Sequence, residues 1–384
     1  MDLTFSTEEE AFRAELRAWL AANVPPEEEC ATLADEVRFL VGWQRRMAAA
    51  GWVGVHWPTQ YGGRGATTVE NYILQEELAR AQAPEVIGRI GVNLVGPTLI
   101  HYGSEAQKAR HLPRILAADE LWCQLFSEPN AGSDLSALRC RAERDGDGFV
   151  VTGQKVWTSY AQFADWGILL ARTDPASRGG RGISFLIVDM RSPGVTVRPL
   201  TQMTGSDEFN EVFLEDVRVP AENLVGELHQ GWTIAQTTLS HERGTSPRQL
   251  VVHRMLLADL LALARDSGAV ADPVIRQQLA QVWMEVEMTK LHNWRTLTQL
   301  RRTGKPGPES SLVKLFWSEM SQRLHDTAMQ VLGVRGQYGP GEPRAVARGR
   351  WVRSYLYYRA ATIFAGTSEV QRNIIAQRVL GLPR

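Results

Sequence analysis

Residues 145–152 read Asp145-Gly146-Asp147-Gly148-Phe149-Val150-Val151-Thr152, a doubled Asp-Gly turn signal running directly into aromatic and β-branched residues. Glycine and aspartate tolerate the left-handed backbone of a tight turn, and the residues that follow suit a pleated surface, so the stretch reads as a turn entering a strand. The same texture recurs at Gly167 to Arg172, Ile183 to Asp189, Val195 to Leu200 and Glu211 to Val219, with Asp174 to Gly182 as an exposed loop. A small β domain, barrel or sandwich, is predicted over residues 119–230.

On either side the period changes. Thr7 with Glu10 three residues on has the spacing of a capping box, and Phe12, Leu16, Trp19 and Leu20 then recur at helical intervals. Pro25-Pro26 ends that helix, and Glu27, Glu28 and Glu29 suit the first turn of the next, where carboxylates complement the helix dipole. Helical patterns resume over 69–82 and 105–117, separated from the first helices by the Gly- and Trp-rich connection 51–65. Residues 1–118 are expected to form a helical domain. Beyond Gly231, Leu250, Met255, Leu256, Leu260 and Leu263 make one apolar stripe, and the Gly- and Pro-rich run 304–308 breaks one helix from the next. Residues 231–384 are therefore expected to form a four-helix bundle, giving a mainly α chain with a central β domain.

A chain of 384 residues has room for two or three domains, and 44% hydrophobic with 22% charged residues excludes a disordered composition. A net charge of -1 leaves no general basic surface for a nucleic-acid backbone. Cys30, Cys123 and Cys140 have neither paired nor metal-type spacing, which implies reduced thiols and no metal site. No basic-then-apolar leader opens the sequence, and no run approaches the roughly 18 apolar residues of a membrane span. A cytoplasmic, non-membrane protein is expected.

Nucleotide-binding Gly-x-Gly-x-x-Gly and Gly-x-x-x-x-Gly-Lys-Ser/Thr patterns are missing, as is Gly-x-Ser-x-Gly, and His241-Glu242 lacks the second histidine of a zinc-protease helix. What the chain does carry, in order, is Ser-Glu-Pro-Asn-Ala-Gly-Ser-Asp at 127–134, Gly-Gln-Lys-Val-Trp-Thr-Ser at 153–159, and Ile-Phe-Ala-Gly-Thr-Ser-Glu-Val-Gln-Arg-Asn at 363–373. With Tyr102-Gly103-Ser104-Glu105 and Leu112-Pro113 upstream, the set resembles the FAD-dependent acyl-CoA dehydrogenase family over nearly the whole chain.

That resemblance implies roles. Phe126 and Ser127 would line the flavin ring edge, Trp157 would pack on the ring, and Ser159 would approach its N5. Ser133 would lie by the thioester arm, with FAD contacts also at Thr367 and, reaching a neighbouring subunit's FAD, at Gln330 and Gly333. The family's paired glycine is missing after Gly333, where Val334 and Arg335 follow, and no Arg-x-x-Phe pair appears near residues 264–278. A homotetramer is expected, with a heterotetramer of related chains as the alternative.

Ala365 stands where the family often keeps its proton-abstracting glutamate. Leu239-Ser240-His241-Glu242-Arg243 is similar to the context in which isovaleryl-CoA and long-chain acyl-CoA dehydrogenases carry their base on an earlier helix. The resemblance thus makes Glu242 the base, with Arg243 near the cleft. The Ala365 backbone N–H is left as the donor to the developing enolate oxygen, with Gly366 beside it at the substrate. The implied reaction is α,β-dehydrogenation of an acyl-CoA or acyl-carrier thioester to the trans-2-enoyl product. Its β-hydride would go to flavin N5, and its electrons to an electron-transfer flavoprotein. A flavin oxidase or desulfinase of the same fold, or a catalytically silent half-site subunit, are the other readings.

Overall fold

The computed structural model describes residues 4–26, 28, 30–240, 246–303 and 307–383. In chain order they form α1 (Thr7–Asn23), α2 (Leu33–Ala49), α3 (Thr68–Arg80), α4 (Gly96–Tyr102) and α5 (Glu105–Leu116). The strands are β1 (Trp122–Leu125), β2 (Arg141–Asp145), β3 (Gly148–Ser159), β4 (Trp166–Arg172), β5 (Ile183–Asp189), β6 (Val195–Leu200), β7 (Phe209–Pro220) and β8 (Leu224–Val225). Then come α6 (Gly231–Ser240), α7 (Pro247–Asp266), α8 (Pro273–Thr303), α9 (Ser310–Leu332), α10 (Arg350–Tyr358) and α11 (Ser368–Ile374). Helical segments flank a central β-sheet, as the turn chemistry and periodicities predict.

Two compact units result, and neither is continuous in sequence. The first comprises Met1–Val24, Thr67–Ala83 and Arg243–Arg384. Its core joins Leu256 and Leu260 of α7, Val282 and Val286 of α8, Met320 and Leu324 of α9, and Trp351 and Tyr358 of α10, four helices contributing to one apolar interior. Helices α1 and α3 belong to the same unit. Arg17 of α1 reaches Glu77 of α3 through two bonds of 2.6 and 2.9 Å, a bidentate clamp on a carboxylate that is only 3% exposed.

The second unit, Pro25–Ala66 with Pro84–Glu242, is built on an eight-stranded sheet: seven strands in the order β6-β7-β3-β2-β4-β5-β8, and β1 as the eighth, paired parallel with β4. Cys123, Val151, Leu169, Leu186, Val212 and Val217 are all buried in its core. The predicted β runs fall on β3 to β7, and the Asp-Gly-Asp-Gly signal is the β2–β3 turn, with Asp145 paired to Gly148. Helix α6 follows the sheet in sequence and packs against β4 and β5 within this unit.

Two local expectations shift. The capping box of α1 is Ser6 with Glu9: Ser6 Oγ accepts from the Glu9 N–H at 3.2 Å, and the Glu9 carboxylate accepts from the Ser6 N–H at 2.8 Å. The expected cap, Thr7, is already helical, whereas Ser6 has the extended backbone of a cap. Helix α2 starts only at Leu33, capped by Thr32 with Asp35 and Glu36 in its first turn. Glu28 therefore precedes the helix, while Glu27 and Glu29 lie outside the described residues.

Candidate functional site

In the sheet unit, Lys155 points inward from β3 and is completely buried. Its ammonium meets Glu128 Oε1 at 2.8 Å, the Leu170 carbonyl at 2.8 Å and the Phe126 carbonyl at 3.1 Å, so all three of its donors are spent. Glu128 in turn accepts from the Arg139 and Cys140 N–H groups at 2.7 and 2.8 Å. One further bond, from the Val156 N–H to the Ser127 carbonyl at 2.9 Å, fastens the 126–128 segment along β3. Phe126 and Ser127 are thereby tied to the part of β3 that runs on into Trp157 and Ser159.

Just past Lys155 the pairing of β3 with β7 slips, with the register broken between Lys155 and Thr158. Trp157 occupies this bulge with φ +59°, and its side chain is 61% exposed. A tryptophan at positive φ is an outlier, and an extra residue in one strand is the device that re-aims a side chain off the sheet. The indole packs edge-on to Phe209 with ring centroids 6.2 Å apart. Thr158 is buried, and its Oγ1 has no hydrogen-bond partner among the described residues. Ser133 lies exposed in the neighbouring loop, whose Ser136 and Leu138 carbonyls are braced by Arg172 at 3.0 and 3.2 Å.

The helical unit carries the second group. Ala365 has φ +52° and Gly366 φ +88°, a left-handed pair directly before α11. The φ of Gly366 favours glycine, and a Cβ there would stand 2.7 Å from Gln371 Nε2, which would have to give way. Gln371 Nε2 donates to the Ala365 carbonyl at 3.2 Å, and Lys314 Nζ of α9 donates to the Gly366 carbonyl at 2.7 Å. The Ala365 N–H makes no hydrogen bond among the described residues. Thr367 caps α11, its Oγ1 accepting from Val370 N–H at 3.2 Å, and the adjoining Ser368 hydroxyl is buried without a partner among the described residues. An open cleft of about 510 Å³ lies beside Thr367, walled by Gln322, Arg323, Asp326 and Arg372. Glu369 is exposed in the first turn of α11, and its own backbone N–H, helped by the Thr367 hydroxyl, holds its carboxyl below the usual range.

Gln330 and Gly333 sit at the exposed end of α9, where Gly333 N–H closes onto the Gln330 carbonyl. Gly333 takes φ +55° and ψ -132°, a conformation glycine adopts freely. Glu242 and Arg243 lie outside the described residues, between α6 and α7. Sequence reading missed Lys155, Glu128, Lys314 and Gln371. The signal was present: Lys155 and Lys314 are lone cations within otherwise apolar or uncharged runs.

Taken unit by unit, the residues fit a planar, polar-edged cofactor such as FAD. In the sheet unit an outward-turned indole offers a stacking surface beside the buried Thr158 Oγ1, which lacks a protein partner among the described residues. In the helical unit the buried Ser368 Oγ, next to Thr367, likewise lacks a partner among the described residues.

Comparison with known proteins gives three adjoining family matches: acyl-CoA dehydrogenase N-terminal domain over residues 6–119, middle domain over 123–217, and C-terminal domain over 229–380. The chain is 42% identical to acyl-CoA dehydrogenase IpdE1 of Mycobacterium tuberculosis, over 98% of each. It is 36% identical to acyl-CoA dehydrogenase FadE26 of the same organism, over 100% of this chain and 99% of that one. Among solved structures, the Tcur3481-Tcur3483 steroid ACAD superposes with a TM-score of 0.87 at 34% identity. The ChsE4-ChsE5 complex from Mycobacterium tuberculosis gives 0.85 at 34%, both covering 100% of each chain.

Proposed function

The chain belongs to the acyl-CoA dehydrogenase family, and from that premise we propose that it desaturates a bulky, steroid-type acyl-CoA thioester between Cα and Cβ. The observation that carries the reading is the Ala365 turn: a backbone N–H without a partner among the described residues, in a loop pinned by Lys314 and Gln371. A preorganised, unspent donor is what an enolate oxygen requires, because its orientation is fixed before charge develops.

Glu242 is the base that takes the α-proton, leaving the negative charge on the thioester oxygen, where the Ala365 N–H receives it. Arg243 holds the thioester's phosphate-bearing end or the carboxylate itself, with Ser133 and Gly366 along the acyl-CoA arm. Phe126, Ser127, Trp157, Ser159 and Thr367 hold the FAD, and Gln330 with Gly333 reach the FAD of a neighbouring subunit. Bound FAD supplies the acceptor for the β-hydride, and an electron-transfer flavoprotein is the onward acceptor. The steroid-type substrate rests on likeness to the steroid ACAD, and a panel of steroidal, branched and straight-chain acyl-CoA thioesters scored by flavin bleaching tests it.

The mechanism is tested by Glu242→Gln in protein that still binds FAD. We expect kcat to fall by about 10²-fold or more, the range for removing a general base. Near-normal turnover would remove Glu242 from the mechanism.

A second reading concerns assembly. Both solved relatives quoted above are named as pairs, and α8 exposes Trp283, Met284, Met288 and Leu291, three of them at i, i+4 and i+7. We place a related chain, rather than a second copy, against this unit, supplying the FAD contacts that the departures at Val334 and Arg335 remove. Co-expression with a related chain that turns a colourless, unstable product yellow supports the pairing, and a stable yellow homotetramer from the single chain overturns it.

A further inference from the structure

Lys314 is an unusual cation. It is half-buried on α9, and its ammonium makes one hydrogen bond among the described residues, to the Gly366 carbonyl at 2.7 Å, and no ion pair. Withdrawing an ammonium from water for a single neutral acceptor is unfavourable unless the contact serves another purpose. The acceptor belongs to the residue after Ala365, and Ala365 itself holds φ +52°, a conformation that costs an L-residue free energy. Gln371 grips the same turn, donating to the Ala365 carbonyl at 3.2 Å. The turn is thus strained and held from two sides, with the Ala365 N–H unpaired among the described residues.

We propose that Lys314 is a positioning residue of the thioester site, locking the Ala365–Gly366 turn so that the Ala365 N–H stays aimed at the enolate oxygen. The inference rests on the dehydrogenase reading and deepens it. Lys314 touches no reacting atom in this scheme. It acts through the peptide it anchors, and its charge strengthens the hold, since a hydrogen bond from an ionised donor is roughly twice as strong as a neutral one.

The charge is also conditional. Burial pulls the Lys314 ammonium down to about 8, against the raising influence of Glu369 on α11 and Glu319 on α9, with the Phe364 ring 6.0 Å away. Above that pH the amine becomes neutral and the grip weakens, so the native rate acquires an alkaline fall near pH 8 that a guanidinium at the same place would not show.

The test uses FAD-loaded native protein, Lys314→Met and Lys314→Arg, with a 3-oxoacyl-CoA as probe. This thioester ionises at its α-carbon without any hydride leaving, so its ionisation measures stabilisation of the enolate oxygen apart from turnover. In Lys314→Met we expect the pH of ionisation of the bound probe to rise by about one unit and kcat to fall about tenfold with KM little changed. Lys314→Arg restores both and abolishes the alkaline fall. Ionisation at the native pH in Lys314→Met, or an unchanged alkaline fall in Lys314→Arg, overturns the inference alone. A native protein that neither ionises the probe nor bleaches with any thioester sinks the dehydrogenase reading, and this inference with it.

Discussion

Lys155 Nζ lies 2.8 Å from Glu128 Oε1, an ion pair with side chains 0% and 9% exposed that fastens one flanking segment of the site to the strand carrying Trp157. Removing one partner of a buried pair strands the other charge, typically at about 3–5 kcal/mol. Lys155→Met is therefore expected to cost stability in that range by urea unfolding, and to weaken FAD retention. Glu128→Ala is expected to cost more, since it also orphans the Arg139 and Cys140 N–H groups. Because the two residues share one network, the double variant should lose less than the sum of the singles. Simple additivity would mean the pair does not act as a unit.

Trp157 offers a case in which stability and cofactor binding separate. Its φ of +59° costs a non-glycine residue about 1–2 kcal/mol. Trp157→Gly relieves that strain while deleting a ring that is mostly exposed in the chain alone, so the thermal midpoint of FAD-free protein should hold or rise. FAD affinity should fall by about tenfold or more with the lost stacking surface. A variant that melts earlier and keeps FAD would show the ring to be a packing element.

The turn chemistry of the β2–β3 hairpin and the periodicity of the long helices made the α–β–α order legible, because each of those signals is local. Burial pairings were not legible. Lys155 lies within a recognisable motif, yet its bond to Glu128 joins residues 27 apart, and nothing local to either announces the other. Lys314 and Gly366 are 52 apart for the same reason. The regrouping of the chain into two units, with α1 and α3 in the C-terminal helical assembly, likewise depends on which apolar faces meet, and such a pairing leaves no mark in the linear pattern of one chain. The Trp157 bulge was invisible for a different cause: its register slip is set by β7, and an alternating pattern in β3 alone cannot report it.

Two buried histidines predict acid sensitivity of the helical unit. Burial lowers His253 and His325 to about 4, with His325 further depressing His253 and Arg359 further depressing His325. Unfolded histidine titrates near 6.5, so the unfolded chain takes up protons first, and stability is full above about pH 6.5 and lost as pH falls toward 4. Each group contributes on the order of 3 kcal/mol when the window has been crossed. His253 bonds through both nitrogens, to the Gln249 carbonyl at 2.6 Å and Ser321 Oγ at 2.9 Å, whereas His325 Nε2 has no partner among the described residues. His325→Phe keeps the stack on Tyr358, now 4.7 Å between centroids, and removes the titrating nitrogen. Urea midpoints from pH 4.5 to 7.5 should show a shallower pH dependence for this variant, and an unchanged slope would exclude His325 as a source of it.

The proposed division of labour between Glu242 and Ala365 can be tested by moving the carboxylate. Ala365 and a glutamate placed there carry the same backbone penalty at φ +52°, so Ala365→Glu should leave the thermal midpoint within about 1 kcal/mol of native in free-energy terms. The substitution keeps the backbone N–H, and with it the oxyanion donor, while adding a base at the position the family often uses. In a Glu242→Gln background, Ala365→Glu is therefore expected to recover at least about tenfold of the lost kcat, within the span of general-base contributions. Ala365→Gly in the native background, which relieves the strain and retains the N–H, should keep kcat within about threefold and raise the thermal midpoint. If the glutamate recovers nothing while the glycine variant stays active and FAD-bound, residue 365 lies outside proton-transfer reach of the substrate. The base and the oxyanion donor would then be set by separate parts of the chain that one residue cannot serve together.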